Sequence, residues 1–348
     1  MTSSNQISSN CRVAFWWTQG SLAQRMEWLH PDLSIVQCVI KSRELSGNAS
    51  FVNYVRHHCI TDRVTGETFD VVEKSVRKIA FIKSLESRFY REQSALSGSL
   101  HFKHPDCFGI IETPFESLIF TRYITGKAPR MRVVAPLIAR GIAELESRSF
   151  KHLETNRSNN TFRYWSMDFF RPWYTIRSRF SFPRFYANID RLAKDDPRFY
   201  GMNTQLRMLG SKIASLEAAA VATPMCLCHM DYLRKNLFAN SEGLFLIDWS
   251  EVKVGRIGFD AGSFLAALFR RSEMSRYESI RDSFLETYKY EVSDRFDRDQ
   301  VYSNMRYFFL LTTLWHCMRP ESIEEFRQSK RLPLLKEKLE FLVHHESY

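Results

Sequence analysis

The sequence predicts an α+β protein that begins on an antiparallel sheet and continues as a mainly helical part. Three observations carry this. Runs rich in Val, Ile, Phe and Tyr, separated by short turn-forming stretches, fill residues 35–76. Helical stretches fill most of the chain after Pro136. Between them lies a second strand signal: Leu237-Phe238 and Leu244-Phe245-Leu246-Ile247 flank the turn-forming Ala239-Asn240-Ser241-Glu242-Gly243, which reads as a β-hairpin.

The elements follow in order. Ser21 to Leu29 reads as a short helix stopped by Pro31. Ile35 to Ile40 reads as a strand, Ser46 to Ser50 as a turn and Phe51 to Ile60 as a second strand. Thr61 to Thr68 is the next turn, and Phe69 to Val76 the third strand. Ile79 to about Leu100 reads as helix, with Leu85, Phe89 and Leu96 on one face. Glu92 lies on that apolar face and needs a partner, because burying an unpaired charge is very costly. Lys74 is the natural candidate. Glu86 is the competitor; six residues from Glu92, it points about 120° away around the helix, so the two cannot share one lysine. Glu92 is preferred. Ser117 to Phe120 is a further strand. Pro136 to Ser147, Gln205 to Val221, Ala261 to Arg270, Ser275 to Tyr290, Asp299 to Met318 and Ile323 to Leu342 read as helices.

The chemistry concentrates in His229-Met230-Asp231-Tyr232-Leu233-Arg234-Lys235-Asn236-Leu237-Phe238 and in Ile247-Asp248-Trp249. Asp231 and Asn236 are close enough in sequence for one loop to aim both side chains into one pocket. The hairpin should return Asp248 beside Asn236. Two carboxylates and an amide are hard oxygen donors, a set suited to Mg²⁺, which takes one or two protein oxygens and completes its shell with phosphates.

This pattern of His-x-Asp-x-x-x-x-Asn, Ile-Asp-Trp and then Gly258-Phe259-Asp260 resembles the aminoglycoside phosphotransferase and choline kinase branch of the protein-kinase-like fold. The resemblance runs in motif order over residues 35–270 and is strongest in 226–263. It implies a bilobal chain, with a nucleotide-binding N-lobe in 1–121 and a C-lobe in 122–348 that holds the catalytic loop and acceptor site. Asp231 would be the catalytic base, and Asn236 and Asp248 the Mg²⁺ ligands. His229 and Asp260 would brace the loop. Lys74 would contact the α- and β-phosphates and make the Lys–Glu pair of the fold with Glu92. The turn at Gly47 would cover the phosphates, and a hinge at Arg122-Tyr123 would meet the adenine through its backbone. The implied reaction moves the γ-phosphoryl group of ATP to a hydroxyl of a small molecule, with Mg²⁺ as cofactor. Ile-Asp-Trp in place of D-F-G favours this branch over a protein kinase. A protein kinase, a nucleotidyltransferase of the same fold and a catalytically silent kinase-like binding protein are the alternatives.

Composition sets the remaining limits. Hydrophobic residues make up 44% and charged residues 25% of the 348, ordinary for a soluble globular protein. Lys and Arg number 49 against 39 Asp and Glu, a net charge of +10 that favours anionic partners and leans toward a neutral or anionic acceptor. Seven scattered cysteines suggest reduced thiols and a cytoplasmic setting. Cys226 and Cys228 lack zinc spacing and read as small core residues. The first ten residues carry no signal-peptide pattern, and the longest apolar run falls well short of the ~20 residues a membrane span needs. Residues 161–191 hold six arginines, eleven aromatics and no lysine. They suit a ligand-specific insertion, a peripheral membrane contact, or core aromatics with arginines reaching water. No nucleic-acid signature accompanies them.

Overall fold

A computed structural model describes residues 11–46, 51–78, 84–92, 101–155, 168–170, 178–328 and 332–344; of Glu92, residues 178–181 and Leu332 it describes the backbone alone. The chain forms two compact units. Met1–Pro129 with Lys235–Glu251 make the first, and Arg130–Arg234 with Val252–Tyr348 the second. The hairpin that the sequence groups with the second part is therefore carried by the first. Its strands bridge there to Lys103 (at Phe245) and Lys127 (at Ala239).

The first unit is a six-stranded sheet in the order β1-β5-β6-β4-β3-β2. The strands are β1 (Arg12–Phe15), β2 (Cys38–Ser46), β3 (Val52–Asp62), β4 (Thr68–Arg77), β5 (Cys107–Glu112) and β6 (Glu116–Arg122). All neighbours are antiparallel except β1 on β5. β4 is central, and its side chains alternate. Val71 and Glu73 are buried on one face, where α1 (Leu22–Leu29) contributes Met26 and Leu29 to a core with Ile60, Ile111, Leu118 and Phe120. Lys74 takes the other face. α1 starts at a capping box: Ser21 Oγ accepts from Gln24 N (3.2 Å) and Gln24 Oε1 from Ser21 N (2.7 Å). The strand expected from Ile35 begins at Cys38. Cys38 pairs with Asp62, the last residue of β3, so residues 35–37 have no strand to join and form a 3₁₀ turn.

The helix expected over 79–100 is described as α2 (Leu85–Glu92). Residues 79–83 and 93–100 lie outside the described residues. Two short strands, β8 (Leu237–Asn240) and β9 (Gly243–Leu246), form the expected hairpin, with Leu237 opposite Leu246.

The second unit is helical around a two-stranded pair, β7 (Met225–Cys228) and β10 (Lys253–Arg256). Its helices are α3 (Met131–Thr155), α4 (Ser178–Asp195), α5 (Met202–Val221), α6 (Phe259–Arg271), α7 (Met274–Ser293), α8 (Arg298–Met318), α9 (Pro320–Gln328) and α10 (Leu332–His344). The single helix expected over 323–342 is two. Pro320 and Pro333 each fall in a first turn, the place where a missing N–H does no harm. In the arginine- and aromatic-rich segment three of the five aromatics whose side chains are described are core, and Phe170 and Tyr186 are half-buried. Phe169, Phe182 and Phe185 are buried, and Phe169 packs on Phe259 and Phe308. Among the described residues no helix is long and apolar enough to cross a membrane.

Candidate active site

In the first unit the chemistry gathers on Lys74. Its Nζ lies 2.7 Å from Glu86 Oε2 and 2.6 Å from Asp248 Oδ1. Burial disfavours the ammonium, but the two carboxylates outweigh it and raise the Lys74 pKa. Burial pushes the Glu86 carboxyl upward; Lys74 opposes this and the charge of Asp248 adds to it. The sequence reading of Glu92 as the lysine's partner is corrected here. The buried residues of α2 are Glu86, Ser87, Phe89 and Tyr90, with Glu86, Phe89 and Tyr90 at i, i+3 and i+4, and Leu85 is only partly buried. Taking Leu85 as a core residue rotated the expected face toward Glu92, whose side chain lies outside the described residues.

Trp249 fixes this arrangement. Its ring stacks on Phe89 at 3.8 Å and 6°, and its Nε1 donates to Leu246 O (3.1 Å). The residue after Asp248 thus holds α2, and with it Glu86, against the hairpin. Asp248 has φ of +64°, a left-handed conformation that Asp tolerates better than most residues, and Ser250 Oγ donates to its Oδ1 (2.9 Å). Ile247 N donates to Asn236 O (2.9 Å), so the hairpin closes with Asn236 opposite the residue that precedes Asp248. Among the described residues no group of three or more His, Cys, Asp and Glu could hold a metal ion. An amide and a carboxylate carried at the two ends of one hairpin are oxygen donors, the chemistry that Mg²⁺ takes and completes with phosphate oxygens.

The other expected nucleotide contacts stand as follows. Gly47 lies outside the described residues. The backbone N–H groups of Arg122 and Tyr123 are engaged within the unit, by Asp106 O (2.9 Å) and Asp70 O (3.3 Å). A base-contacting role for these two residues therefore rests on their other atoms. The Arg122 guanidinium pairs with Glu242. The Tyr123 ring stacks on His57 at 4.1 Å, and its hydroxyl accepts from Arg43 Nη2 (2.8 Å).

In the second unit β7 delivers the loop that begins at His229. Asp260, in the first turn of α6, is fully buried and accepts three hydrogen bonds of 2.9 Å. The donors are His229 N, Met230 N and the Tyr232 hydroxyl. Burial raises the Asp260 pKa to about 6 against these donors. Ser263 Oγ, one turn on, donates to Met230 O (2.7 Å). Both backbone groups of Met230 are thus held, and its φ is +63°. That conformation costs a non-glycine residue about 1 kcal/mol or more and persists where its surroundings over-determine it. His229 is fully buried, and its Nδ1 accepts from Asp231 N (3.2 Å), which places the proton of the neutral ring on Nε2. Asp231 is half-buried at the bend of this braced loop. Cys226 and Cys228 are buried thiols 3.5 Å apart, both pushed up by burial.

Glu146 of α3 escaped the sequence reading. It is fully buried, accepts from Gly258 N (2.8 Å) and from the Tyr288 hydroxyl (2.6 Å), and burial raises its pKa to about 8. It ties α3 and α7 to the turn before α6, the helix that supplies Asp260. Nothing in the sequence separates it from exposed glutamates of the same helix such as Glu154.

These elements make up a kinase-like fold. The model of the phosphotransferase enzyme family, APH, matches residues 165–301, the stretch that contains Asp231, Asn236, Asp248 and Asp260. The resemblance read from the motifs is thereby confirmed. The fold is similar to that of choline kinase from Cryptosporidium parvum Iowa II, at 12% identity and a TM-score of 0.55, over 90% of this chain and 92% of that one. It is similar to amicoumacin kinase hAmiN in complex with AMP-PNP, Ca²⁺ and Ami, at 10% identity and 0.54, over 87% and 88%. It is similar also to APH(2")-IIa in its gentamicin complex, at 15% identity and 0.50, over 92% and 97%. A sequence search of curated proteins finds no match.

Proposed function

We propose that the protein transfers the γ-phosphoryl group of ATP to a hydroxyl of a small molecule. The observation that carries this reading is the placement of the Lys74 ammonium between Glu86 and Asp248. It unites in one charge cluster the lysine–glutamate pair and the metal-binding carboxylate on which phosphoryl transfer in this fold depends. Lys74 holds the α- and β-phosphate oxygens, and Glu86 keeps the ammonium extended toward them. Asn236 and Asp248 hold Mg²⁺, which when bound neutralises charge on the phosphate oxygens. Asp231 accepts the proton of the acceptor hydroxyl while the acceptor oxygen bonds to the γ-phosphorus and the bond to the ADP oxygen breaks. The bracing by Asp260, His229 and Ser263 fixes the Asp231 backbone, since positioning and electrostatics supply most of the catalysis in such reactions.

The test is calorimetric titration with ATP, with and without Mg²⁺, alongside turnover assays that separate ADP from pyrophosphate as product. Wild type should bind ATP in a Mg²⁺-dependent way, and Asp248→Ala should lose that dependence. Asp231→Ala should bind nucleotide within about twofold of wild type and lose turnover by at least ~100-fold, the range a general base contributes. Near-wild-type turnover in Asp231→Ala would remove the base assignment. Release of pyrophosphate would replace phosphoryl by nucleotidyl transfer.

A further inference from the structure

We infer that the acceptor carries a negative charge, a carboxylate or phosphate, bound by Arg270, Arg271 and Arg319; this rests on the proposed role of Asp231. The placement follows from α6. Asp260 and Ser263 on this helix hold the Asp231 loop. Arg270 is seven residues beyond Ser263, two turns further along the same face. α6 and α8 run in the same direction. A Cβ at Gly258 would meet Val301 O and Met305 N at 2.6 and 3.1 Å, and one at Gly262 would meet Met305 O and Phe309 N at 2.4 and 2.9 Å. Four residues along one helix match four along the other, and the same step continued brings position 270 level with 316. The ends of both helices thus gather Arg270, Arg271, His316 and Arg319.

The electrostatics agree with this placement. Burial first, and then the guanidinium charges of Arg270, Arg319 and Arg271, hold the His316 imidazole down to about 3, so it stays neutral. Asp231 is near enough for its carboxylate to act on Arg270. No other carboxylate answers the three guanidinium charges: among the described residues none of them makes an ion pair within 4 Å.

Helix capping does not explain them either. Cations are favoured at helix C-termini, but Lys338 already takes the last carbonyls of α6, with Nζ at 2.7 Å from Phe269 O and 3.0 Å from Arg270 O. Ser272 N takes Leu268 O. Among the described residues the Arg270 side chain donates only through Nε, to Ala266 O (3.3 Å), which leaves its terminal nitrogens for a ligand; Arg271 and Arg319 are exposed. Guanidinium forks match carboxylate and phosphate oxygens in pairs. An ammonium-bearing alcohol at Asp231 would instead face three uncompensated positive charges.

The experiment gives the full-length protein Mg²⁺ and ATP with matched hydroxyl acceptors: hydroxy acids and sugar phosphates, neutral polyols, and amino alcohols. Turnover should concentrate in the anionic set. Arg270→Gln and Arg319→Ala should each raise the acceptor KM roughly tenfold, the equivalent of one lost charge-assisted contact, with kcat and the KM for ATP within about threefold. Arg319 is exposed, so its replacement does not threaten folding, and Arg319→Glu should raise KM further. Hydroxy acids against sugar phosphates distinguish the carboxylate from the phosphate source. Equal or greater turnover with neutral or cationic acceptors overturns the inference and leaves phosphotransfer standing. So does an anionic acceptor whose KM ignores all three variants. Mg²⁺-dependent ATP binding with no anionic acceptor turned over also counts against it. Absence of ATP binding overturns the phosphotransferase reading and this inference together.

Discussion

One ammonium, that of Lys74, serves two carboxylates within 2.7 Å. Glu86 is almost wholly buried, whereas Asp248 reaches solvent, so the glutamate depends on the lysine more than the aspartate does. Without Glu86 the Lys74 ammonium keeps only the more exposed Asp248 and loses the buried partner that fixes its position. Glu86→Gln should therefore weaken ATP binding roughly tenfold or more, while Glu92→Gln leaves it within about twofold; paired titrations decide, and a reversal would return the lysine to Glu92. At this scale the sequence was legible where spacing alone sets geometry. The two ends of the hairpin close on each other, Ile247 N on Asn236 O, because a hairpin of that length must return the chain. Asp260 holds its loop from the position the motif implied. The sequence misled where a helix face had to be chosen from few apolar residues. Leu85, Phe89 and Leu96 defined one stripe; the buried set is Glu86, Ser87, Phe89 and Tyr90, and a buried glutamate or serine leaves no hydrophobic mark.

Helices and strands emerged from the sequence according to how far their own residues determine them. α1, α5, α6, α7 and α8 carry long apolar stripes or clear caps, and their expected bounds lie within a few residues of those observed. β1 and β5 went unread. β1 has four residues, and β5 is interrupted by Gly109, so each depends on its neighbours in the sheet. Close approach of helices was equally hidden. Gly262 reads as one more small residue, yet a methyl group there would sit 2.4 Å from Met305 O and 2.9 Å from Phe309 N, backbone atoms that cannot rotate away. Gly262→Ala should push α6 from α8 and cost about 1–3 kcal/mol, the usual penalty for overpacking. Because Asp260 and Ser263 flank this position, the loop that carries Asp231 should loosen with it. A lower urea midpoint with reduced kcat is expected. An unchanged midpoint would mean that the helices separate freely and that their contact does not set the loop.

For the whole molecule, the pH dependence of stability follows from groups whose protonation differs between the folded and unfolded chain. Glu146 is raised to about 8, so between its ordinary carboxylate value and that point the folded state binds the extra proton, and stability falls as pH rises. Asp260, raised to about 6, acts with the same sign but is largely titrated by pH 7. Burial raises Glu86 as well, adding to the downward slope. The histidines oppose it: His30, His104, His152 and His316 are all lowered by burial, so the unfolded chain takes up their protons and stability rises with pH until the unfolded value near 6.5 is passed. Glu73 and Glu112 are lowered on balance. Burial raises each, but the His58 hydrogen bond and Arg25 charge at Glu73, and Lys78 and Ser117 at Glu112, outweigh it, so the stability they add is lost on acidification. Below pH 6.5 these opposing slopes overlap; between 6.5 and about 8 the buried carboxyls dominate, before the thiols and the lowered Arg270 and Lys338 begin to titrate. Between pH 6.5 and 8 the melting temperature should fall, with Glu146 supplying on the order of 1–2 kcal/mol at most, or a few degrees in a chain of this size. Glu146→Gln keeps an acceptor for Gly258 N and cannot ionise. It should flatten much of that slope and leave the acid side unchanged. An identical slope in the variant would show that Glu146 is ionised in the folded protein throughout this range, and that Gly258 N and the Tyr288 hydroxyl offset its burial in full.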